Sequence, residues 1–599
     1  MAIADRLAAL SPEQRALFER LRKERQPSPA SHLPPPVRRV SGPDGAGDWP
    51  LSFDQERLWR LHQERPDLVS WNVDAGSHVQ GDLDARRFVT AFHDVVRRHA
   101  ALRATFPTVD GRPVQRIVPF LAPATSVIDL TALPAALREH AGHRAIYEHT
   151  RQPFDLSRGP LLRLALVRLG EREHLFLLTI HHAVTDWITF QILFQELLQI
   201  YEARRDGRPP ALPEPPVQFP DYVLWEREWL EGEVLAAEAG FWRRELDGFP
   251  LVLELPGDRP RPAVQSQRGG LYRIRAGAAV SDRLRELARR EGGTTFMAVL
   301  AVLAAVLGRV SGLQRFVLGS NGANRPRPEL AAVAGFFLNQ IPFAADVSGD
   351  PTFGEILARV RRAALAAYKH QNLPFSKLIE ALGAADDGNR YPVVQALLLL
   401  LAGESGSEIG DLRFEPVGLY DGNSRWDLMF GLYDYHDVGL TGPLEYNADL
   451  FDGATIGRIL DLFYRTLDAV TADPQVRLSA LPELTAEARL EVITEAEDPA
   501  VERAAAALAD RLRRHGTVPG VKVAVLLAPS PQSAAAVLAV ERLGGLCVLL
   551  DPGDPVHALK ARLADADLAV LIHQGDLGAL PPPVGAVRID IARLGEEAP

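Results

Sequence analysis

The segment His181-His182-Ala-Val-Thr-Asp186 is the most suggestive local cluster of proton-handling side chains in the chain. An imidazole titrates near neutrality, so a histidine on a loop could serve as a general base or hold a nucleophile in place. The aspartate five residues after the first histidine could orient such a base, or could only cap the helix that follows. A metal site would need a third ligand, and none stands nearby, so no metal is expected.

The surrounding sequence says how this cluster is mounted. His174 to Ile180 (HLFLLTI) is a short apolar run that reads as a buried strand. From Trp187 to Tyr201 the apolar residues Ile188, Ile192, Leu193, Leu197 and Ile200 recur at helical spacing. The histidines therefore sit on a strand-to-helix loop, the kind of place where catalytic groups are usually carried. Ser281 to Gly308 reads as two helices broken at Gly292-Gly293. A first helix is expected over 1–26, started by Ser11-Pro12-Glu13-Gln14, and a Pro-rich linker over 27–47. A second Pro-rich stretch, Arg208 to Pro216, separates two α/β halves of similar size. After about residue 500 the pattern becomes β-α-β-α-β, with strands at 521–527, 546–550 and 568–572, which predicts a parallel-sheet fragment. The expected organisation is a helix and linker over 1–47, lobes over 48–215 and 216–485, and a separate fragment over 486–599.

Composition narrows the function class. The 599 residues are 47% hydrophobic and 24% charged, as in ordinary globular proteins. A formal charge of −11 announces no basic face, so nucleic acid is not an expected partner. The longest apolar run, Phe296 to Leu307, falls short of the ~20 residues of a membrane span. The charged start MAIADRLAALSPEQ lacks a signal-peptide core. The one cysteine, Cys547, excludes an internal disulfide and fits a reducing compartment, so a cytoplasmic location is expected.

Seven further segments then follow a known order. Leu51 to Trp59 (LSFDQERLW), Arg98 to Phe106 (RHAALRATF), Phe219 to Trp225 (FPDYVLW), Asn324 to Glu329 (NRPRPE), Gly335 to Gln340 (GFFLNQ), His370 to Phe375 (HQNLPF) and Glu445 to Phe451 (EYNADLF) accompany the HHxxxD cluster. Together they resemble the condensation domains of nonribosomal peptide synthetases, whose core motif is HHxxxDG. The resemblance implies an α/β fold of two chloramphenicol-acetyltransferase-like lobes in a V, with a tunnel between them. It implies amide formation between a donor thioester and an acceptor amine, both brought by partner carrier proteins on phosphopantetheine. Other synthetase subunits are implied partners, and no cofactor is expected on this chain itself. On the same resemblance His182 is the catalytic histidine, His181 its motif neighbour, and Asp186 a structural residue paired with an arginine, for which Arg325 is the candidate. Asn339 and Gln340 are candidates to shape the substrate site, because amides in the apolar run GFFLNQIPF need a reason for their polarity, satisfying nearby backbone being the competing one. Trp59, Phe106, Trp225 and Phe375 are expected to be core aromatics.

The chain departs from the pattern at Trp187, where the motif has glycine. A tryptophan there is expected either to narrow the tunnel or to pack beneath the helix. The tail, from Gly516 to Leu526 and from Leu543 to Pro555, resembles the start of an adenylation domain. The later Ser/Thr/Gly-rich phosphate loop of that family is not in the sequence, so this stretch is expected to be a truncated, inactive fragment without amino-acid-dependent pyrophosphate exchange. Two rival readings remain: an epimerase or acyltransferase of the same fold working on other substrates, or a non-catalytic scaffold of a synthetase assembly.

Overall fold

In the computed structural model the apolar run HLFLLTI lies in the strand Glu173–His181, buried at every position but the first. The structure describes residues 34–484 except 43, 387, 404–405 and 420–421, and then 499–515, 521–527, 531–543, 546–550, 559, 568–574 and 587–591. The helix expected over 1–26 lies outside the described residues. By its contacts the chain divides into two units, one up to residue 490 and one from 491 onward.

The first unit is built on two six-stranded sheets. In the first, Glu173–His181 lies between Asn72–Gln80 and Leu162–Arg168, antiparallel to both. Both its faces are covered, which is why it reads as continuous rather than alternating hydrophobicity. The second sheet has the order Gly269–Gly277, Gly439–Asn447, Leu428–Tyr435, Ala396–Ala402, Arg315–Gly322, Asn339–Asp346. Its core is centred on the helix Thr295–Ser311, buried from Met297 through Gly308. That burial accounts for the long apolar run without a membrane. No single helix among the described residues is long and apolar enough to cross one.

The two cores do not divide at residue 215. The helix Phe219–Trp229 places Phe219, Tyr222 and Trp225 in the first core, as do Leu330 to Phe337 and the pair Leu412 and Phe414. The strand Leu412–Val417, from the later half of the chain, pairs antiparallel with Asn72–Gln80 and so extends the first sheet. Short-range pattern cannot reveal such an exchange, because the strand carries no mark of the sheet it joins. Residues 34–42, read as linker, are held against the helix Phe219–Trp229. Trp225 Nε1 donates to the Pro35 carbonyl at 2.7 Å, and Asp221 accepts from the Val40 and Ser41 amides at 2.8 and 2.7 Å.

The second unit is a parallel sheet ordered Leu546–Leu550, Lys522–Leu526, Leu568–His573, Val587–Asp590. The helices Pro499–Arg514 and Pro531–Arg542 contribute Leu512, Ala536 and Val540 to its core. The last strand, VRID, goes beyond the sequence pattern, being short and preceded by a Pro-rich run. The helix expected near 556–564 falls almost wholly outside the described residues.

Candidate active site

The strand Glu173–His181 ends at His181, a single 3-10 turn covers His182–Val184, and Asp186 caps the helix Trp187–Arg205. This is the strand-to-helix loop the spacing predicts. Its shape is fixed by hydrogen bonds from every side. His182 N donates to the Trp71 carbonyl at 2.8 Å, and Gln55 Nε2 donates to the Ala183 carbonyl at 2.8 Å. Gln55 is itself locked in a capping box with Ser52 at the start of the helix Phe53–Glu64. The segment LSFDQERLW thus clamps the histidine loop from the facing helix.

The two histidines differ in orientation. His182 Nδ1 lies 2.9 Å from the Thr185 carbonyl, which can only accept, so the proton sits on Nδ1 and Nε2 keeps its lone pair. His182 lines a small, partly open cavity, with Trp71 and Phe336 edge-on to its ring at centroid distances of 6.0 and 5.1 Å. Burial first, and then the Arg425 guanidinium, hold its imidazole down to about 4. It is therefore neutral at pH 7, with a lone pair available to a substrate. His181 does not line this cavity. Its Nδ1 accepts the Ala183 amide at 3.1 Å, and its ring stands edge-on to Phe154. Burial, with His62 and His182 nearby, holds it down to about 3.

His181 also carries a stability prediction. The unfolded chain protonates this residue near pH 6.5, whereas the folded chain resists protonation down to about 3. The unfolded state therefore binds more protons in that window, and stability is lost as pH falls from about 6.5 towards 3, on the order of a few kcal/mol in all. Melting temperatures measured from pH 7 to pH 4.5 should fall less steeply for His181→Asn than for the parent. Parallel slopes would show that His181 is not held neutral by the fold.

Asp186 and Arg325 meet in a bidentate pair. Arg325 Nη1 and Nη2 donate to the two Asp186 oxygens at 2.7 and 3.1 Å. The same carboxylate accepts the Thr189 amide at 2.7 Å and the Phe337 amide at 3.2 Å. Asp186 thus caps the helix and anchors the GFFLNQ segment as well, so both readings of this residue coexist. Phe337 receives the Arg325 guanidinium on its ring face at 4.1 Å. Thr189 Oγ1 ties the same segment down by accepting from Gly335 N at 3.1 Å and donating to Gly335 O at 2.9 Å. Only glycine fits at 335, because a β-carbon there would collide with the Phe219 ring.

The neighbouring amides part company. Asn339 turns to the backbone: Nδ2 donates to the Gln371 and Leu373 carbonyls, each at 2.7 Å, and Oδ1 accepts the Phe375 amide at 2.9 Å. It holds the HQNLPF segment and does not line the cavity, which corrects its expected place at the site. Gln340 does line the cavity. Trp187 does not pack beneath the helix. Its side chain is 38% exposed and is absent from the cavity wall and from the hydrophobic cores. Trp187→Gly is therefore expected to change stability by less than about 1 kcal/mol and to leave substrate range as it was. Thermal denaturation with a panel of acyl donors checks both, and acceptance of bulkier donors would return Trp187 to the tunnel.

Sequence reasoning missed several wall residues: Asp54, Arg57, Trp71, Asn321, Tyr391 and the pair Arg425-Trp426. Phe375, expected in the core, also reaches the wall. Arg57 bonds Asp386 at 3.0 Å and Tyr391 Oη at 3.3 Å, and Asp54 accepts the Ser376 amide at 2.9 Å, so these two also join the facing halves. Arg425 lies between the Trp71 and Trp426 rings, 4.6 Å from each. The one signal in the sequence for it is a charged residue beside tryptophan just before the buried strand Leu428–Tyr435.

A two-sheet α/β unit with a buried, neutral histidine at a cavity walled by both halves offers a site for general-base chemistry. The chain belongs to the condensation domain family, which matches residues 46–492. The AMP-binding enzyme family matches residues 500–597. A linear gramicidin synthase subunit of Brevibacillus parabrevis is 34% identical over 571 residues, covering 88% of this chain and 11% of that protein. Phosphinothricin tripeptide synthetase PhsC of Streptomyces viridochromogenes is 37% identical over 520 residues, covering 86% of this chain and 46% of that one. The chain thus spans less than half the length of these curated relatives. Among solved structures, the X-domain in complex with OxyB from teicoplanin biosynthesis is 31% identical with a TM-score of 0.68, over 76% of this chain and 99% of that one.

Proposed function

We propose that the unit over 46–492 forms an amide between an acyl thioester and an amine, in nonribosomal peptide assembly. The observation that most supports this reading is His182: neutral, fixed in one tautomer, with its free nitrogen available at a cavity lined by both halves. The amine nitrogen attacks the thioester carbonyl carbon, giving a tetrahedral species. An N–H proton passes to His182 Nε2, the C–S bond breaks, and the departing sulfur receives that proton. Amide and free thiol are the products, and His182 returns to neutrality. Holding amine and carbonyl together supplies much of the rate in such a reaction.

Donor and acceptor arrive on carrier proteins as phosphopantetheine thioesters, and other synthetase subunits are the wider partners. The likeness to gramicidin and tripeptide synthetases favours this assignment. The test is reconstitution of the full chain with an acyl-loaded carrier and an aminoacyl-loaded carrier. Intact mass should show the acyl group moving onto the acceptor carrier as an amide. No transfer above the enzyme-free rate would overturn the reading.

A second reading, recruitment of a partner protein without catalysis, is favoured by the likeness to a domain solved in complex with OxyB and by the exposed Trp187 where the motif has glycine. Under it, the reconstituted chain forms no amide at all.

A further inference from the structure

We infer that Gln340 and Asn321 make this site selective for a primary amine as acceptor, an inference that rests on the amide-forming reading above. The two residues stand directly opposite each other on the antiparallel strands Arg315–Gly322 and Asn339–Asp346. Opposed residues project from the same face of a sheet and touch. Both line the cavity that holds His182. Asn339, one residue earlier, projects to the opposite face, where its amide is fully used by backbone.

What sets Gln340 and Asn321 apart from Asn339 is that they line the cavity with their oxygens unused. Gln340 is 5% exposed, and its Oε1 has no hydrogen-bond partner among the described residues. Asn321 Oδ1 is likewise buried without one. Buried side-chain oxygens are nearly always paired, so two side by side in a cavity wall imply a donor brought by the ligand. The third group is His182 Nε2, also an acceptor. The same wall carries two unpaired donors, the indole N–H groups of Trp71 and Trp426, which suit a carbonyl oxygen, and the three acceptors suit a group carrying more than one N–H.

A neutral primary amine has two N–H bonds and a lone pair. One N–H must face His182 Nε2, since that proton leaves during the reaction. The second then binds the Gln340–Asn321 oxygens, and the lone pair is left facing the thioester carbon. A secondary amine has a single N–H. Giving it to His182 leaves the amide oxygens unpaired, and giving it to them removes the path for the proton. Sites built to bond a substrate N–H reject the analogue lacking it far more strongly than one extra methyl group would explain.

The test uses the full chain with one acyl-pantetheine donor and three acceptors: alanyl-, 2-aminobutyryl- and N-methylalanyl-pantetheine. The second adds a methyl group on carbon and keeps both N–H bonds; the third adds it on nitrogen and removes one. The parent should use the first two comparably and the third about tenfold or more less well, and Gln340→Met should shrink that preference to about threefold or less. Asn321→Ala should weaken it in the same direction and carries the readout if Gln340→Met is insoluble. Gln340→Glu, which keeps the acceptor oxygen, should retain it. Equal use of N-methylalanyl by the parent, or an undiminished preference in both Gln340→Met and Asn321→Ala, overturns this inference alone. Failure of the parent to form amide with any acceptor overturns the amide-forming reading and this inference with it.

Discussion

His182→Ala is expected to lower amide formation by about a hundred- to ten-thousandfold, the range that a positioned general base contributes. Its effect on stability is expected to be modest, about 1–2 kcal/mol, for the lost Thr185 hydrogen bond and the edge contacts with Trp71 and Phe336. Product should be measured at saturating loaded carriers, beside a thermal melt of the same preparation. His181→Ala makes the useful contrast. Its ring supports the loop through the Ala183 amide and does not line the cavity, so its loss should reach stability before chemistry. A His182→Ala chain that keeps near-parental turnover would remove this histidine from the mechanism.

The second large effect belongs to Asp186 and Arg325, whose side chains are 3% and 6% exposed. Removing either partner leaves the other charge buried and unpaired, which costs about 3–5 kcal/mol. Asp186→Ala loses more than the pair, because the same oxygens accept the Thr189 and Phe337 amides. Chemical denaturation should place both single variants well below the parent. The double variant should be less unstable than the two losses added, since no orphaned charge remains. Additive losses, or a fully stable and inactive Asp186→Ala, would instead point to a carboxylate engaged with substrate.

How much of this is legible in the sequence depends on range. The strand HLFLLTI, the helix from Trp187 and the break at Gly292-Gly293 follow from local periodicity and glycine punctuation, and the structure has all three. The motif order locates the histidine loop and names Arg325 as the partner of Asp186. It cannot tell Asn339 from Gln340, because adjacent strand residues face opposite ways and the phase of the pleat is set by tertiary contacts. Nor can it find Arg425, which meets Trp71 only through folding, or the passage of Leu412–Val417 into the first sheet. Trp187 escapes for a related reason. Nearness in sequence to a reacting group does not decide burial, and Trp187, one residue past the capping Asp186, is part-exposed and absent from the cavity wall.

That passage of Leu412–Val417 bears on how synthetases can be recombined. Its register pairs Arg413 with Gln80 and Val417 with Gly76, and the hairpin strand Ser407–Ile409 follows it to the sheet edge. A breakpoint between the lobes would therefore pair Asn72–Gln80 with a strand from the other parent, and a mismatch there would leave it an edge open to other chains. In a chimaera the family-matched stretch 46–492 should travel as a single cassette, with its seams outside those bounds.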